Sequence, residues 1–397
     1  MKILLVHNKY QQPGGEDVVF EQERKLLESA GHNVATYCRT NDEIDRYTGL
    51  QRLTLIKNTI SSDDSRRQVL EVLQREGPEV VHIHNTFMMI SPSIYSACRE
   101  AGVPVVQTLH NYRLLCPAAN FFRDGHVCEE CEQHGVWRGV RYGCYRGSRV
   151  ATATVALMLT VHRQEHTYTK SIDRFIALSN FARGKFIAGG LPGERIDVKP
   201  NFVEPDPGER TQGGGYAVFV GRLSEEKGLE TLVAAWAQLG NRVPLVIVGD
   251  GPVGEGLKKL AKEKGITSID FRGRVPRSEA QEIVKGSSFM ILPSECYENF
   301  PMGMVEAFAC GVPVIASRLG ALQELVDDRR TGLHFSPGSP QELAEKIEWA
   351  WSHPERLREM GKEARREFEN RYTAEKNYSM LMNIYKSVIA QPQEVTA

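Results

Sequence analysis

Apolar residues come along this chain in short runs of strand length, separated by stretches with helical periodicity. Residues 2–6, 80–83, 103–108 and 175–178 are rich in β-branched side chains and read as buried strands, with helix-like stretches such as 19–30 and 65–76 between them. The second half repeats the scheme, with strands expected at 217–220, 244–248, 269–272, 289–292 and 314–316. Helices are expected there at 228–238, 254–264, 277–286, 303–309, 340–352 and 354–372. Strand–helix alternation predicts parallel sheets covered on both faces by helices.

The pattern breaks once. Lys199-Pro200-Asn201 closes one run of elements, and residues 204–215 are rich in proline, glycine and charge before a new strand begins, the composition of a linker. A chain of 397 residues also exceeds what one hydrophobic core serves. The expected architecture is α/β, with two doubly wound Rossmann-like domains whose parallel sheets face each other across a cleft. The expected bounds are 1–200 and 201–372, with a terminal helix over 373–390 packing back on the N-terminal domain.

Composition narrows the function classes. Hydrophobic residues at 41% and charged residues at 25% are ordinary for a soluble globular chain. A net charge of -1 supplies no global attraction to nucleic acid or membrane, so nucleic acid is not an expected partner. The opening Met-Lys-Ile-Leu-Leu-Val-His reads as a first strand and not as a signal peptide, and no run approaches a membrane span. Eight cysteines without an export signal fit a reducing cytosol, so a cytoplasmic protein is expected.

In doubly wound sheets ligands bind beyond the carboxyl ends of the strands, which directs attention to the loops there. After the strand at 289–292 come Glu298, Asn299, Phe300, Pro301, Met302, Gly303 and Glu306. Pro301 suits the first helical position, leaving the N–H groups of Met302 and Gly303 to a phosphate. Glu298 and Glu306 can accept hydrogen bonds from sugar hydroxyls; two surface glutamates flanking a helix start are the alternative. After the strand at 217–220, Gly221 is followed by Arg222 and, five residues on, Lys227, a fork and a point charge suited to a diphosphate. Glu225 and Glu226 could instead simply neutralise these cations.

Gly249-Asp-Gly251-Pro-Val-Gly254 spells a dinucleotide fingerprint, but it follows the first strand of neither domain, so no nicotinamide cofactor is expected. In the N-terminal half, Gly14 and Gly15 open a helix where an anion can approach the backbone. His110, just past the strand at 103–108, is placed for hydrogen bonding or proton transfer, whereas His82 and His84 alternate with apolar residues and read as structural. Cys116, Cys128, Cys131 and Cys144 fall within 29 residues (116–144) and have the ligand types of a structural tetrahedral zinc site; four buried thiols or one redox pair are the alternatives. Residues 137–149 carry four arginines, three aromatic residues and no acid, and lead into the apolar stretch 150–161. Residues 138–161 therefore suit either peripheral contact with anionic lipid or a buried helix preceded by solvated arginines.

Glu298 and Glu306, with seven residues between them, resemble the E-x7-E signature of retaining GT-B enzymes, specifically glycosyltransferase family 4. The similarity includes Gly221-Arg222-Leu-Ser-Glu-Glu-Lys227-Gly228, Val248-Gly-Asp-Gly-Pro252, Glu306-Ala-Phe-Ala-Cys-Gly-Val-Pro-Val314 and Gly332-Leu, and it spans the C-terminal half. Pro301 departs from it, since many relatives carry glycine there. The resemblance implies that Arg222 and Lys227 bind the donor diphosphate, Glu306 the nucleotide ribose and Glu298 the donor sugar. It also puts Gly221, Asn299, Phe300, Met302 and Gly303 at the donor, the Gly14-Gly15 loop facing its diphosphate and His110 lining the active site.

It further implies a nucleotide-diphosphate sugar as donor, a sugar or lipid-linked acceptor in cell-envelope or exopolysaccharide synthesis, and retention of configuration. No Asp-x-Asp motif is present, so no metal is expected in the chemistry. A nucleotide-sugar epimerase of the same shape and a non-catalytic sugar-nucleotide-binding protein are the rival classes; the latter should have lost a signature residue, and all are present.

Overall fold

The computed structural model describes residues 1–12, 14–48, 50–210 and 214–390. They form two compact units. One comprises Met1–Phe121, Cys128–Pro200 and the chain from Asn377 onward; the other comprises Asn201–Lys376 and the short segment Phe122–Val127.

The first unit is built on β1 (Lys2–Lys9), β2 (Asn33–Thr40), β3 (Val80–Asn85) and β4 (Val105–Thr108). A two-stranded antiparallel hairpin follows, β5 (Phe122–Arg123) and β6 (His126–Val127). Then come β7 (Arg174–Ala177) and β8 (Ile196–Val198), and the parallel sheet runs β2-β1-β3-β4-β7-β8. Its inner strands are buried on both faces, which is why β1 and β3 appear in the sequence as continuous rather than alternating apolar runs. The edge strand β2 is only partly buried, and its sequence NVATYCRT has no such run to betray it.

One core of this unit includes the helix Ala374–Ile389: Leu381, Met382, Ile384, Tyr385 and Val388 pack with Ile3, Leu5, Phe20 and Leu27. A buried polar network fixes the same helix. Lys199 Nζ lies 3.4 Å from Glu23 Oε2 and 3.2 Å from Asn377 Oδ1, and Asn377 Nδ2 donates to the Pro200 carbonyl at 2.8 Å.

The second unit has β9 (Ala217–Val220), β10 (Leu245–Val248), β11 (Ile269–Gly273), β12 (Phe289–Leu292), β13 (Val314–Ser317) and β14 (Gly332–Phe335). They form a parallel sheet ordered β11-β10-β9-β12-β13-β14. Succession therefore reverses between β9 and β12, and the loops leaving these two neighbours diverge above a ready-made crevice. The core around Trp236 gathers Phe219, Ile247, Phe289, Ile291, Leu343 and Ile347 from the strands and the helices beside them.

Candidate functional site

The loops after β9 and β12 are stitched together before any ligand is considered. Gly228, in the left-handed region at φ 66°, leaves no room for a Cβ, which would lie 1.9 Å from the Pro293 carbonyl oxygen. Glu295 donates its backbone N–H to the Glu226 carbonyl at 2.9 Å, and Thr231 Oγ1 donates to Glu295 Oε1 at 2.6 Å. The short turn Glu225–Lys227 thereby carries Lys227 to the loop after β12, where Nζ meets Glu298 Oε1 at 2.6 Å. Ser294 Oγ donates to the same oxygen at 2.6 Å.

Burial would neutralise both members of this pair, but their mutual attraction outweighs it. The Glu298 charge and hydrogen bond hold the Lys227 ammonium above its ordinary range. The Lys227 charge, with the Ser294 hydroxyl, holds the Glu298 carboxyl below its own. Lys227 has three N–H donors, so engaging Glu298 with one still permits it to serve an anion. Arg222 stands exposed on the same loop, and Glu226 accepts from Ser224 Oγ at 2.7 Å.

The helix after this loop is Met302–Ala309, and Pro301 is not its first residue as expected but its N-cap, with an extended ψ of 103°. The Pro301 carbonyl accepts from Met304 at 3.0 Å, so the N–H groups with no partner inside the helix are those of Met302 and Gly303. Asn299 and Phe300 are buried, and the Phe300 ring meets Tyr372 edge-on at 6.0 Å, so it serves packing. Glu306 is paired with a residue that sequence reading missed. Arg277 Nε donates to Glu306 Oε1 at 3.2 Å, while burial raises the Glu306 carboxyl and Arg277 only partly opposes the rise. Arg277 follows Pro276 at a helix start just beyond β11, so the strand-end rule applied to β9 and β12 would have found it.

The Gly249 fingerprint has a packing cause. A Cβ on Gly249, at φ 139°, would lie 1.8 Å from the Gly221 carbonyl oxygen, so the glycine exists to let the loops after β9 and β10 touch.

In the first unit, Gly14 caps and Gly15 opens the helix Gly15–Ser29. Asp17 Oδ2 accepts from the Gly14 N–H at 2.8 Å and Asp17 Oδ1 lies 2.9 Å from His7 Nε2. Glu16 Oε2 accepts from Asn111 Nδ2 at 3.2 Å and Tyr10 Oη at 3.3 Å, while Glu16 Oε1 is buried without a hydrogen bond to any described residue. His110 Nε2 lies 2.9 Å from Nδ1 of the buried His84, with the rings stacked. His82 is bonded on both nitrogens, to Tyr385 Oη at 2.7 Å and Thr108 Oγ1 at 2.8 Å, which makes it structural.

The structure lends the zinc expectation no support. A tetrahedral site with Zn–S near 2.3 Å needs sulfurs about 3.8 Å apart. Among the described residues the one candidate group with donor atoms mutually within 4.8 Å is Glu23, His82 and His84, not any set drawn from Cys116, Cys128, Cys131 and Cys144. Burial, then the neighbouring Cys116, pushes the Cys131 thiol up to about 12. The segment is ordered by other means. It forms the hairpin and the helices Glu130–His134 and Arg138–Tyr142, Lys185 pairs with Glu129 and Glu132, and Val136 packs with Phe87, Val155 and Leu159.

The apolar stretch that follows is the helix Arg149–Gln164, which buries Val155, Ala156, Met158 and Leu159. Val150, Leu157 and, on the preceding segment, Trp137 and Tyr142 remain exposed. Among the described residues no helix is long and apolar enough to cross a membrane.

Two family models match this chain: Glycosyltransferase Family 4 over residues 13–207 and Glycosyl transferases group 1 over residues 204–367. A D-rhamnosyltransferase, WbpZ of Pseudomonas aeruginosa, is 31% identical over 41% of this chain and 42% of its own, so the match spans less than half of that relative. The α-D-kanosaminyltransferase of Streptomyces kanamyceticus is 24% identical over 74% of this chain and 73% of its own. Among solved structures, Anabaena Alr3699/HepE in complex with UDP matches with a TM-score of 0.69 at 20% identity, covering 98% of this chain and 100% of that one. Such a likeness shows the shared GT-B fold.

Proposed function

The chain belongs to glycosyltransferase family 4, and on that premise we propose that it moves a sugar from a nucleotide-diphosphate sugar to an acceptor hydroxyl, with retention of configuration. The observation that carries the reading is the Lys227–Glu298 pair above the reversal point between β9 and β12. It joins a fixed ammonium to a carboxylate, beside a helix start that offers the Met302 and Gly303 amides.

In this reading Lys227, Arg222 and the two amides bind the diphosphate and stabilise the negative charge that grows on it as the sugar departs. Glu298 positions Lys227 and faces the sugar hydroxyls, and Glu306 takes the ribose. Gly221 belongs to the donor site by keeping the loop after β9 close to the backbone of its neighbour, and Asn299 and Phe300 by supporting the loop after β12. In the first unit, the Gly15 amide suits an anion, the Gly14 amide being engaged by Asp17, and His110, oriented by His84, suits an acceptor hydroxyl. The departing phosphate takes the acceptor proton, and no metal enters the chemistry.

A sugar or lipid-linked acceptor is proposed, as is peripheral contact with an anionic bilayer at the cytoplasmic face. Exposed Trp137, Tyr142, Val150 and Leu157 together with exposed Arg141, Arg146 and Arg149 support that contact. Sedimentation with anionic against zwitterionic vesicles tests it; equal partitioning in both would count against it.

The central experiment incubates the protein with UDP-, GDP- and ADP-sugars and follows the products. Released nucleoside diphosphate supports a transferase, an altered sugar configuration an epimerase, and an unchanged donor that nevertheless binds a non-catalytic protein.

A further inference from the structure

Arg277 is the first residue of the helix Arg277–Lys285, where the helix dipole disfavours a cation. Glu306 holds it there. Arg277 Nε donates to Glu306 Oε1, and Nη2 lies 3.2 Å from the same oxygen. Nη2 is buried, however, and makes no hydrogen bond to any described residue. A buried guanidinium N–H without an acceptor is costly, so the arrangement is complete only when something supplies one. The Arg277 and Glu306 side chains are 36% and 20% accessible, so a ligand reaches the pair and a turn of the guanidinium presents Nη2 to it.

A carboxylate only accepts and a guanidinium N–H only donates, and side by side they complement a group that does both. A hydroxyl is such a group. We propose that Arg277 and Glu306 together read one ribose hydroxyl of the donor nucleotide, which donates to Glu306 and accepts from Arg277 Nη2, making Arg277 the residue that separates ribonucleotides from deoxyribonucleotides. The inference rests on the donor reading above for the identity of the hydroxyl's bearer. A ligand without that hydroxyl leaves Nη2 buried and unpaired, the condition under which polar sites discriminate strongly.

The test is calorimetric titration of the full chain with UDP, GDP and ADP, each beside its 2′-deoxy and 3′-deoxy counterpart, and with pyrophosphate. None of these probes carries the transferred sugar, so a lost hydroxyl is a ribose hydroxyl. The wild type is expected to bind its preferred ribonucleotide roughly 10- to 100-fold more tightly than one deoxy counterpart. In Arg277→Met that preference should fall to within about threefold, with the ribonucleotide weakened and pyrophosphate binding unchanged. Arg277→Lys keeps a cation on Glu306 and is expected to retain an intermediate preference; it carries the test if the methionine variant does not fold. Equal binding of ribo and deoxy forms by the wild type, or undiminished discrimination in Arg277→Met, overturns the inference and leaves the donor reading standing. Failure of the wild type to bind any of the three ribonucleotides overturns the donor reading, and this inference falls with it.

Discussion

Lys227 and Glu298 stand 71 positions apart and meet at 2.6 Å. Their strands, β9 and β12, are neighbours in the sheet although β10 and β11 intervene in the chain. The pair is more than an ornament of the site, because each partner keeps the other charged where only 26% and 13% of their side chains are accessible.

Replacing Lys227 with alanine therefore does two things. Transfer should fall by more than about 100-fold, since the leaving diphosphate loses its ammonium. The fold should also lose about 1–3 kcal/mol, because the Glu298 carboxylate is left without its partner. Adding Glu298→Gln to Lys227→Ala should restore much of the stability without restoring transfer. Denaturant melts and product release on the single and double variants check this, and a single variant as stable as wild type would show the pair to be energetically idle.

Glu298 also predicts an acid limb of stability. Its carboxyl is held below the ordinary value of 4.5 by Lys227, so its contribution is present above that value and is lost as pH falls through the lower folded one. Melting temperatures of wild type and Glu298→Gln should therefore converge on acidification below pH 4.5. A gap that stays constant to acid pH would contradict the assignment.

Glu16 has the opposite sign. Burial, aided by the Asp17 charge, raises its carboxyl from 4.5 to about 8, against the pull of Asn111, Arg113 and Tyr10. A raised acid stabilises the fold fully below its unfolded value, and this contribution fades as pH climbs from about 4.5 to 8. Glu16→Gln, permanently neutral, should gain on wild type across that window by about 1–2 kcal/mol, a figure reduced for the residual solvent access of this partly buried side chain. Chemical denaturation at pH 5 and at pH 8.5 measures the difference.

Tyr385 donates or accepts at His82 Nδ1 within the core of the first unit. Tyr385→Phe keeps the ring in the Leu381–Val388 cluster but leaves a buried histidine nitrogen without that partner. It should cost about 1–3 kcal/mol, seen as a lower denaturation midpoint with an unchanged m-value.

The inner strands of both sheets and the family were legible in the sequence because both reside in local pattern, whereas the edge strands β2, β8 and β14 were not. The apolar runs at 217–220 and 289–292 coincide with β9 and β12, since strands buried on both faces need continuous apolar residues. The spacing of Glu298, Glu306, Arg222 and Lys227 carried the resemblance to glycosyltransferase family 4, which the family models match.

Spacing alone could not say who pairs with whom. That Lys227 meets Glu298 and Arg277 meets Glu306 follows from strand order, which a string of residues does not display. The four cysteines suggested a metal cluster because loop distances permit convergence, yet among the described residues only Glu23, His82 and His84 bring three donor atoms within 4.8 Å of one another. Sequence by itself determined which groups are present and which chemistry they can do. Only the tertiary structure decided which of them touch, because burial and charge pairing are properties of neighbours in space.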